Sequence, residues 1–366
     1  MDLVFGILNV EFRENGHEAG RRQVGFACRS ALPPPFPLSC VSSFPADIQL
    51  SLPGVCDYQI IFGLPLRRKM RHSFRAMKKA APTPFFLLGH PVGHSLSPFM
   101  HNAAFKVLGL RANYGLLDVA PGDVPRTLEN LRAQGCGGAN VTIPHKEAAY
   151  RFLAAKGQLS DVAHLLHSVN TVVFRPDGTL SGDNTDAPGF LDALKEAFRA
   201  SPRGRRVLVL GCGGAGRALA LTCAMQGAAE ILVADVNLAA RRRLLLALRQ
   251  TAPGLPVAGV SLDRARGAAR DCDLIIQATP VGMKPGDPSL LPPESFRKGQ
   301  LVFDLIYNPA VTPLLAIARA AGARTANGLG MLLHQGVRAF RQWTGRQPPV
   351  PLMRAALEKA LKAKRP

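Results

Sequence analysis

In the stretch "GGANVTIPHKEAAYRFL", residues 137–153, an apolar strand pattern turns polar just where a helical pattern begins. Asn140, Thr142, His145 and Lys146 all fall at that junction, around the point where the run Ala-Asn-Val-Thr-Ile stops at Pro144. Such a junction has two uses. Proline can end the strand and leave the lysine in solvent, or the strand can deliver an amine to a shared cleft, where it can give and take a proton. The junction alone leaves both open.

A second group is more specific. "RRVLVLGCGGAGRALALTCAMQGAAEILVAD" places Gly211, Gly213 and Gly216 in a G-x-G-x-x-G array directly after an apolar strand and directly before a helix, with Gly214 and Ala215 completing the loop. The first glycine makes the tight turn, the second lets backbone approach a pyrophosphate, and the third packs helix on strand. The helix N-terminus favours the phosphate charge. Asp235 ends the next strand, 24 positions beyond Gly211, where a carboxylate can hold the ribose hydroxyls of a dinucleotide.

Positioning these groups requires a sizeable scaffold. At 366 residues the chain is long enough for two domains, and 47% hydrophobic with 19% charged residues is a globular composition. Its seven cysteines form no CxxC pair, so neither a zinc nor a disulfide framework follows and a reducing cytoplasm fits best. The formal net charge of +20 attracts polyanions, but the arginines are scattered and aromatics are sparse, so no specific nucleic-acid site is expected. The best membrane candidate, "IQLSLPGVCDYQIIFGLPL", is broken by Pro53, Asp57 and Pro65, and no spanning helix is expected. Residues 1–80 hold proline clusters, no sustained periodicity and a basic end, and read as a low-confidence or disordered extension. From "TPFFLLGHPVGHSLSPFM" onward, apolar strands alternate with helical patterns, which implies an α/β fold with parallel, helix-covered sheets.

Four further polar segments stand at strand ends or turns: "GHSLSPFMH", "NVTIPHK", "SVNTV" and "SGDNTD". With "IYNPAVTP" and "NGLGMLLHQG" they follow the motif order of the shikimate dehydrogenase (shikimate/quinate dehydrogenase) family, which the chain resembles from about residue 85 to its C-terminus. The resemblance implies an N-terminal α/β substrate domain over 83–185 plus 328–366, and a Rossmann-like NAD(P)-binding domain over 186–327, with a cleft between them. It also implies reversible NAD(P)H-dependent reduction of 3-dehydroshikimate to shikimate in aromatic biosynthesis, in a cytoplasmic monomer or homodimer. Carried over by position, Lys146 and Asp186 are the catalytic pair. Ser95 and Ser97 hold the substrate carboxylate, Thr142, Asn170 and Gln335 its ring hydroxyls, and Tyr307 lines the carboxylate end. Gly328 lies against the nicotinamide. The chemistry agrees: hydride transfer to a ketone leaves an alkoxide, which a nearby lysine can stabilise and protonate. An exposed lysine, with a pKa of about 10.4, is a poor base at neutral pH, so burial and a helix N-terminus are expected to help.

Each assignment has a plainer counterpart. Asp186 and Ser97 can serve only as helix caps, Tyr307 as a strand-end aromatic and Gln335 as the solvated face of a helix. His90, His94 and His101 suggest a metal, but no carboxylate or cysteine completes a set, and no metal is expected. The coenzyme is NADP or NAD. The family default is NADP, held by an arginine after the second strand of the dinucleotide unit, whereas this chain reads "LVADVNLAARRR" and Asp235 favours NAD. Two counter-readings remain: Asp235 as a cap of the next helix, and Arg241, Arg242 or Arg243 as a phosphate clamp. The alternatives are an NAD-dependent quinate/shikimate dehydrogenase and, in a different class, a basic nucleic-acid-associated protein with a dinucleotide fold.

Overall fold

The computed structural model describes residues 81–363 and, before them, four strands: β1 (Phe5–Glu14), β2 (His17–Ala27), β3 (Asp47–Leu50) and β4 (Tyr58–Ile61). β1 pairs antiparallel with β2, and β3 with β4. These four strands belong to a unit separate from the one that begins at residue 80, and the rest of the extension expected over 1–80 lies outside the described residues. No helix among the described residues is long and apolar enough to cross a membrane, and the apolar stretch over 48–66 lies largely outside them.

The unit beginning at residue 80 contains two six-stranded sheets. The first is built from β5 (Thr83–Gly89), β6 (Ala112–Asp118), β7 (Gly138–Val141), β8 (Gln158–Leu159), β9 (Thr171–Phe174) and β10 (Leu180–Asp183). Its order is β6-β5-β7-β9-β10-β8. Helices α1 (Ser97–Val107), α2 (Val124–Ala133), α3 (Lys146–Lys156) and α4 (Asp161–Leu166) connect the strands. This sheet corrects the expectation of purely parallel sheets, because β9 runs antiparallel to both β7 and β10. The cause is local. Residues 175–179 join β9 to β10 with no helix between, and a short connection can return a strand only antiparallel. Asp177 accepts from the Thr179 amide at 2.9 Å, and Gly178 takes the left-handed φ of 83° that the turn requires.

After α5 (Asp186–Phe198) comes the second sheet: β11 (Arg206–Leu210), β12 (Glu230–Ala234), β13 (Val257–Val260), β14 (Leu274–Gln277), β15 (Leu301–Asp304) and β16 (Arg324–Ala326). It is parallel throughout, in the order β13-β12-β11-β14-β15-β16. Strand order therefore reverses beside β11, the position at which open α/β sheets bind ligands. Helices α6 (Gly214–Met225), α7 (Leu238–Thr251), α8 (Leu262–Ala268) and α9 (Pro313–Ala320) cross between strands. The central strands β14 and β15 are buried at every position and read as three apolar residues followed by one polar residue, Gln277 and Asp304, at their C-terminal ends. The chain then returns through α10 (Leu329–Thr344) and α11 (Val350–Ala363), whose Leu333, Phe340, Met353 and Leu357 join the core that includes Phe85 and Met100 of the first sheet and α1.

Candidate active site and dinucleotide cradle

Three helices begin at site residues. Ser97, Lys146 and Asp186 are the first residues of α1, α3 and α5. The Lys146 ammonium donates to Asp186 Oδ2 at 2.6 Å, with the two side chains 18% and 12% exposed. Asp186 is not a cap. The Asn184 side chain accepts from the backbone amides of Asp186 and Ala187, at 3.1 and 3.2 Å, and so satisfies the orphan donors of α5. The Asp186 carboxylate is thereby free to meet the lysine. Ser97 caps nothing through its side chain either; Ser95 Oγ accepts its backbone amide at 3.2 Å, and the two hydroxyls stand 3.3 Å apart.

Glycines set the close approaches around this pair. A Cβ on Gly189 would stand 2.7 Å from the Gln335 backbone nitrogen, so α5 and α10 cross in contact there. Asp186 lies one turn before Gly189 on the same face of α5. A Cβ on Gly336 would strike Met100 Cε, so the next residue of α10 fits against α1. Gln335 thus sits where α10 meets both α1 and α5, is buried, and donates to Leu332 O at 2.8 Å; the solvated-face reading of it is excluded. Likewise a Cβ on Gly89 would stand 2.5 Å from Thr142 Cγ2, so the end of β5 makes room for Thr142 at the end of β7. Tyr307 packs against the cluster containing Leu96 and Met100, and burial pushes its phenol pKa up.

Asn170 is buried and accepts through Oδ1 from the Thr185 amide at 2.7 Å. Around it lie three residues that sequence reasoning left without a role: Tyr114, Thr171 and Asn140, the last noticed only as a polar interruption of a buried strand. Tyr114 donates to Asn140 Oδ1 at 2.8 Å. The available signal was an asparagine in a four-residue strand buried at every position. Of the three histidines first weighed as metal ligands, His90 pairs with Asp118 at 2.6 Å, and His101 is buried in an aromatic box with neither ring nitrogen hydrogen-bonded. Among the described residues no group of three or more metal-ligating side chains is gathered.

The glycine loop is a second cluster. Gly211 has a φ of 99°, and a Cβ there would meet the Ala278 backbone at 2.9 Å; one on Gly216 would overlap the Gly211 carbonyl oxygen. Gly213 and Gly214 have open space where a Cβ would be. That pattern, crowded behind and empty in front, fits a pyrophosphate approaching the N-terminus of α6. Asp235 Oδ2 accepts the Cys212 amide of this loop at 2.5 Å, and Oδ1 accepts the Asn237 amide at 2.7 Å. The side-chain cap of α7 is Asn237, not Asp235. Arg241 is tied to Val260 O at 2.6 Å, while Arg242 and Arg243 are exposed. Gly328 opens α10, donates to Ile306 O at 3.1 Å, and would collide with Leu305 O if it carried a Cβ.

Comparison with known proteins agrees with this geometry. The family model for the shikimate dehydrogenase substrate binding domain matches residues 87–172, and that for the shikimate 5'-dehydrogenase C-terminal domain matches 328–358. The shikimate dehydrogenase (NADP+) of Moorella thermoacetica is 45% identical over 289 residues, covering 78% of this chain and 96% of the relative. Among solved structures, shikimate 5-dehydrogenase from Listeria monocytogenes in complex with shikimate and NAD aligns with a TM-score of 0.70 at 33% identity, over 76% of this chain and 97% of that one. Quinate dehydrogenase from Corynebacterium glutamicum in complex with NAD aligns with a TM-score of 0.70 at 30% identity, over 76% and 99%.

Proposed function

The chain belongs to the shikimate dehydrogenase family, and on that premise we propose that the protein catalyses the reversible NAD(P)H-dependent reduction of 3-dehydroshikimate to shikimate. The observation that carries this reading is the Lys146–Asp186 contact of 2.6 Å at the start of two helices, beside buried Gln335 and Asn170. Residues 83–185 with 328–366 hold the substrate, and 186–327 hold the dinucleotide. Ser95 and Ser97 receive the carboxylate, Tyr307 lines that end, and Thr142, Asn170 and Gln335 receive the ring hydroxyls. The bound dinucleotide supplies or accepts the hydride. Lys146 donates a proton to the oxygen of the former ketone and, in the reverse direction, removes the hydroxyl proton; Asp186 orients its ammonium. Gly211, Gly213, Gly214, Ala215 and Gly216 cradle the pyrophosphate, Gly328 flanks the nicotinamide, and Asp235 faces the adenosine ribose.

We further propose that NAD serves at least as well as NADP, although the Moorella relative is named for NADP+. The Asp235 carboxylate, bonded to the loop amide of Cys212 at the end of β12, would accept from free ribose hydroxyls and repel a 2′-phosphate, and Arg241 is engaged elsewhere. Shikimate is taken over quinate as the preferred substrate, because the 45% identical relative is named a shikimate dehydrogenase and the quinate dehydrogenase is 30% identical. The test is a set of steady-state rates with shikimate and quinate, each with NAD and NADP. Shikimate with NAD is expected to be at least as fast as any other pair, and Asp235→Asn with Val236→Arg is expected to shift preference towards NADP. A large wild-type preference for NADP would overturn the coenzyme assignment. Strongly salt-dependent DNA binding without turnover would favour the nucleic-acid alternative.

A further inference from the structure

Beneath the substrate residues runs a buried network of hydrogen bonds in which both asparagine amides are oriented by groups that can act only one way. The Asn170 backbone carbonyl can only accept, so the Asn140 atom 3.1 Å from it is the amide nitrogen, which also reaches Thr171 Oγ1 at 3.1 Å. Asn140 Oδ1 therefore faces Tyr114, and the phenol donates to it at 2.8 Å. The Thr185 backbone amide can only donate, so the Asn170 atom 2.7 Å away is Oδ1. That oxygen also takes the Thr171 hydroxyl at 3.0 Å and lies 3.1 Å from the Thr185 hydroxyl. Thr171 Oγ1 receives a hydrogen from Asn140 and lies 3.0 Å from both Asn170 Oδ1 and Thr185 Oγ1. Every member is buried, and the Tyr114 ring is stacked on His101 with centroids 4.4 Å apart.

We propose that Tyr114 and Asn140 are positioning residues for the substrate, not ligands of it. The Thr185 backbone amide turns the Asn170 oxygen inward, and the network Tyr114, Asn140 and Thr171 holds it there, so that the nitrogen of Asn170, and never its oxygen, faces the bound molecule. Both ends of Asn140 are consumed inside the protein, whereas Asn170 has its nitrogen left over. Asn170 is thus a fixed donor, and the group it meets must act as an acceptor there.

This inference rests on the functional reading above, and the experiment separates the two. Turnover of shikimate by the wild type tests that reading; its absence with both dinucleotides would overturn the reading and the inference together. Given turnover, Tyr114→Phe and the nearly isosteric Thr171→Val are each expected to raise the KM for shikimate about tenfold and to leave the KM for the dinucleotide unchanged. Thr171→Ser, which keeps the hydroxyl, is expected to restore the wild-type value. The double variant Tyr114→Phe/Thr171→Val is expected to be no worse than the poorer single one, because both cut one chain. An unchanged shikimate KM, an equal rise in the dinucleotide KM, or fully multiplicative effects in the double variant would overturn the inference. Should Tyr114→Phe fail to fold, the Thr171→Val and Thr171→Ser pair decides it alone.

Discussion

At the scale of single residues, similar chemistry is put to opposite uses by its surroundings. Lys146 and Asp186 are kept partly open and paired at 2.6 Å, whereas His101 is closed in completely, with both ring nitrogens unbonded. Burial drives the His101 pKa from 6.5 down to about 3, so the ring is a neutral packing element. The sign of the linkage follows: a neutral histidine contributes its full stability above pH 6.5, and that contribution is lost as pH falls towards about 3. Between pH 6.5 and 5 the loss is about 2 kcal/mol. His101→Phe, which keeps a flat ring among Tyr114, Phe105 and Phe340, is expected to raise the melting temperature more at pH 5 than at pH 8. Equal shifts at the two pH values would refute this reading. Ser95→Ala is expected to raise the KM for shikimate with little change in kcat, since the carboxylate that the serine is proposed to receive does not react. Lys146 and Asp186 were legible because their motifs are contiguous. Tyr114 was not, because a tyrosine in a strand reads as core, and its partner Asn140 lies 26 residues away.

Among the elements, the glycine loop separates two roles that the motif merges. Gly216 is needed by the fold, because a Cβ there would overlap the Gly211 carbonyl oxygen, whereas Gly213 has open space in front of it. Gly216→Ala is expected to destabilise the protein or prevent its folding. Gly213→Ala is expected to fold with a near-normal melting temperature while raising the dinucleotide KM at least tenfold, a split that thermal melts and kinetics on the same preparations resolve. The strand–helix alternation was enough to anticipate the second sheet, which is parallel throughout. It misjudged the first. The five residues 175–179 hold a turn and no helix, and that short connection outweighs the general pattern and reverses β9. The crossing of α5 with α10 was also hidden, since nothing near Gly189 in sequence shows that its missing side chain admits Gln335.

For the whole molecule, residues assigned to substrate and dinucleotide all lie between Ser95 and Gln335, inside the unit that begins at Ala80. A protein begun at Met77 is expected to fold and to keep its kcat/KM for shikimate within about twofold, the spread ordinary for changes remote from a site. Loss of folding or activity on that truncation would give residues 1–76 a role that their sequence does not display. The net charge of +20 belongs to the full chain and raises association with any polyanion, so DNA binding at low salt is expected to vanish with added salt while turnover persists.

The central claim is that the lysine at the strand-to-helix junction moves the proton. Its most direct test is kcat and KM for shikimate in folded Lys146→Ala protein. A fall in kcat of about a hundred- to ten-thousand-fold, with a much smaller change in KM, is the expected result. Near-normal turnover in a protein that melts like the wild type would contradict it.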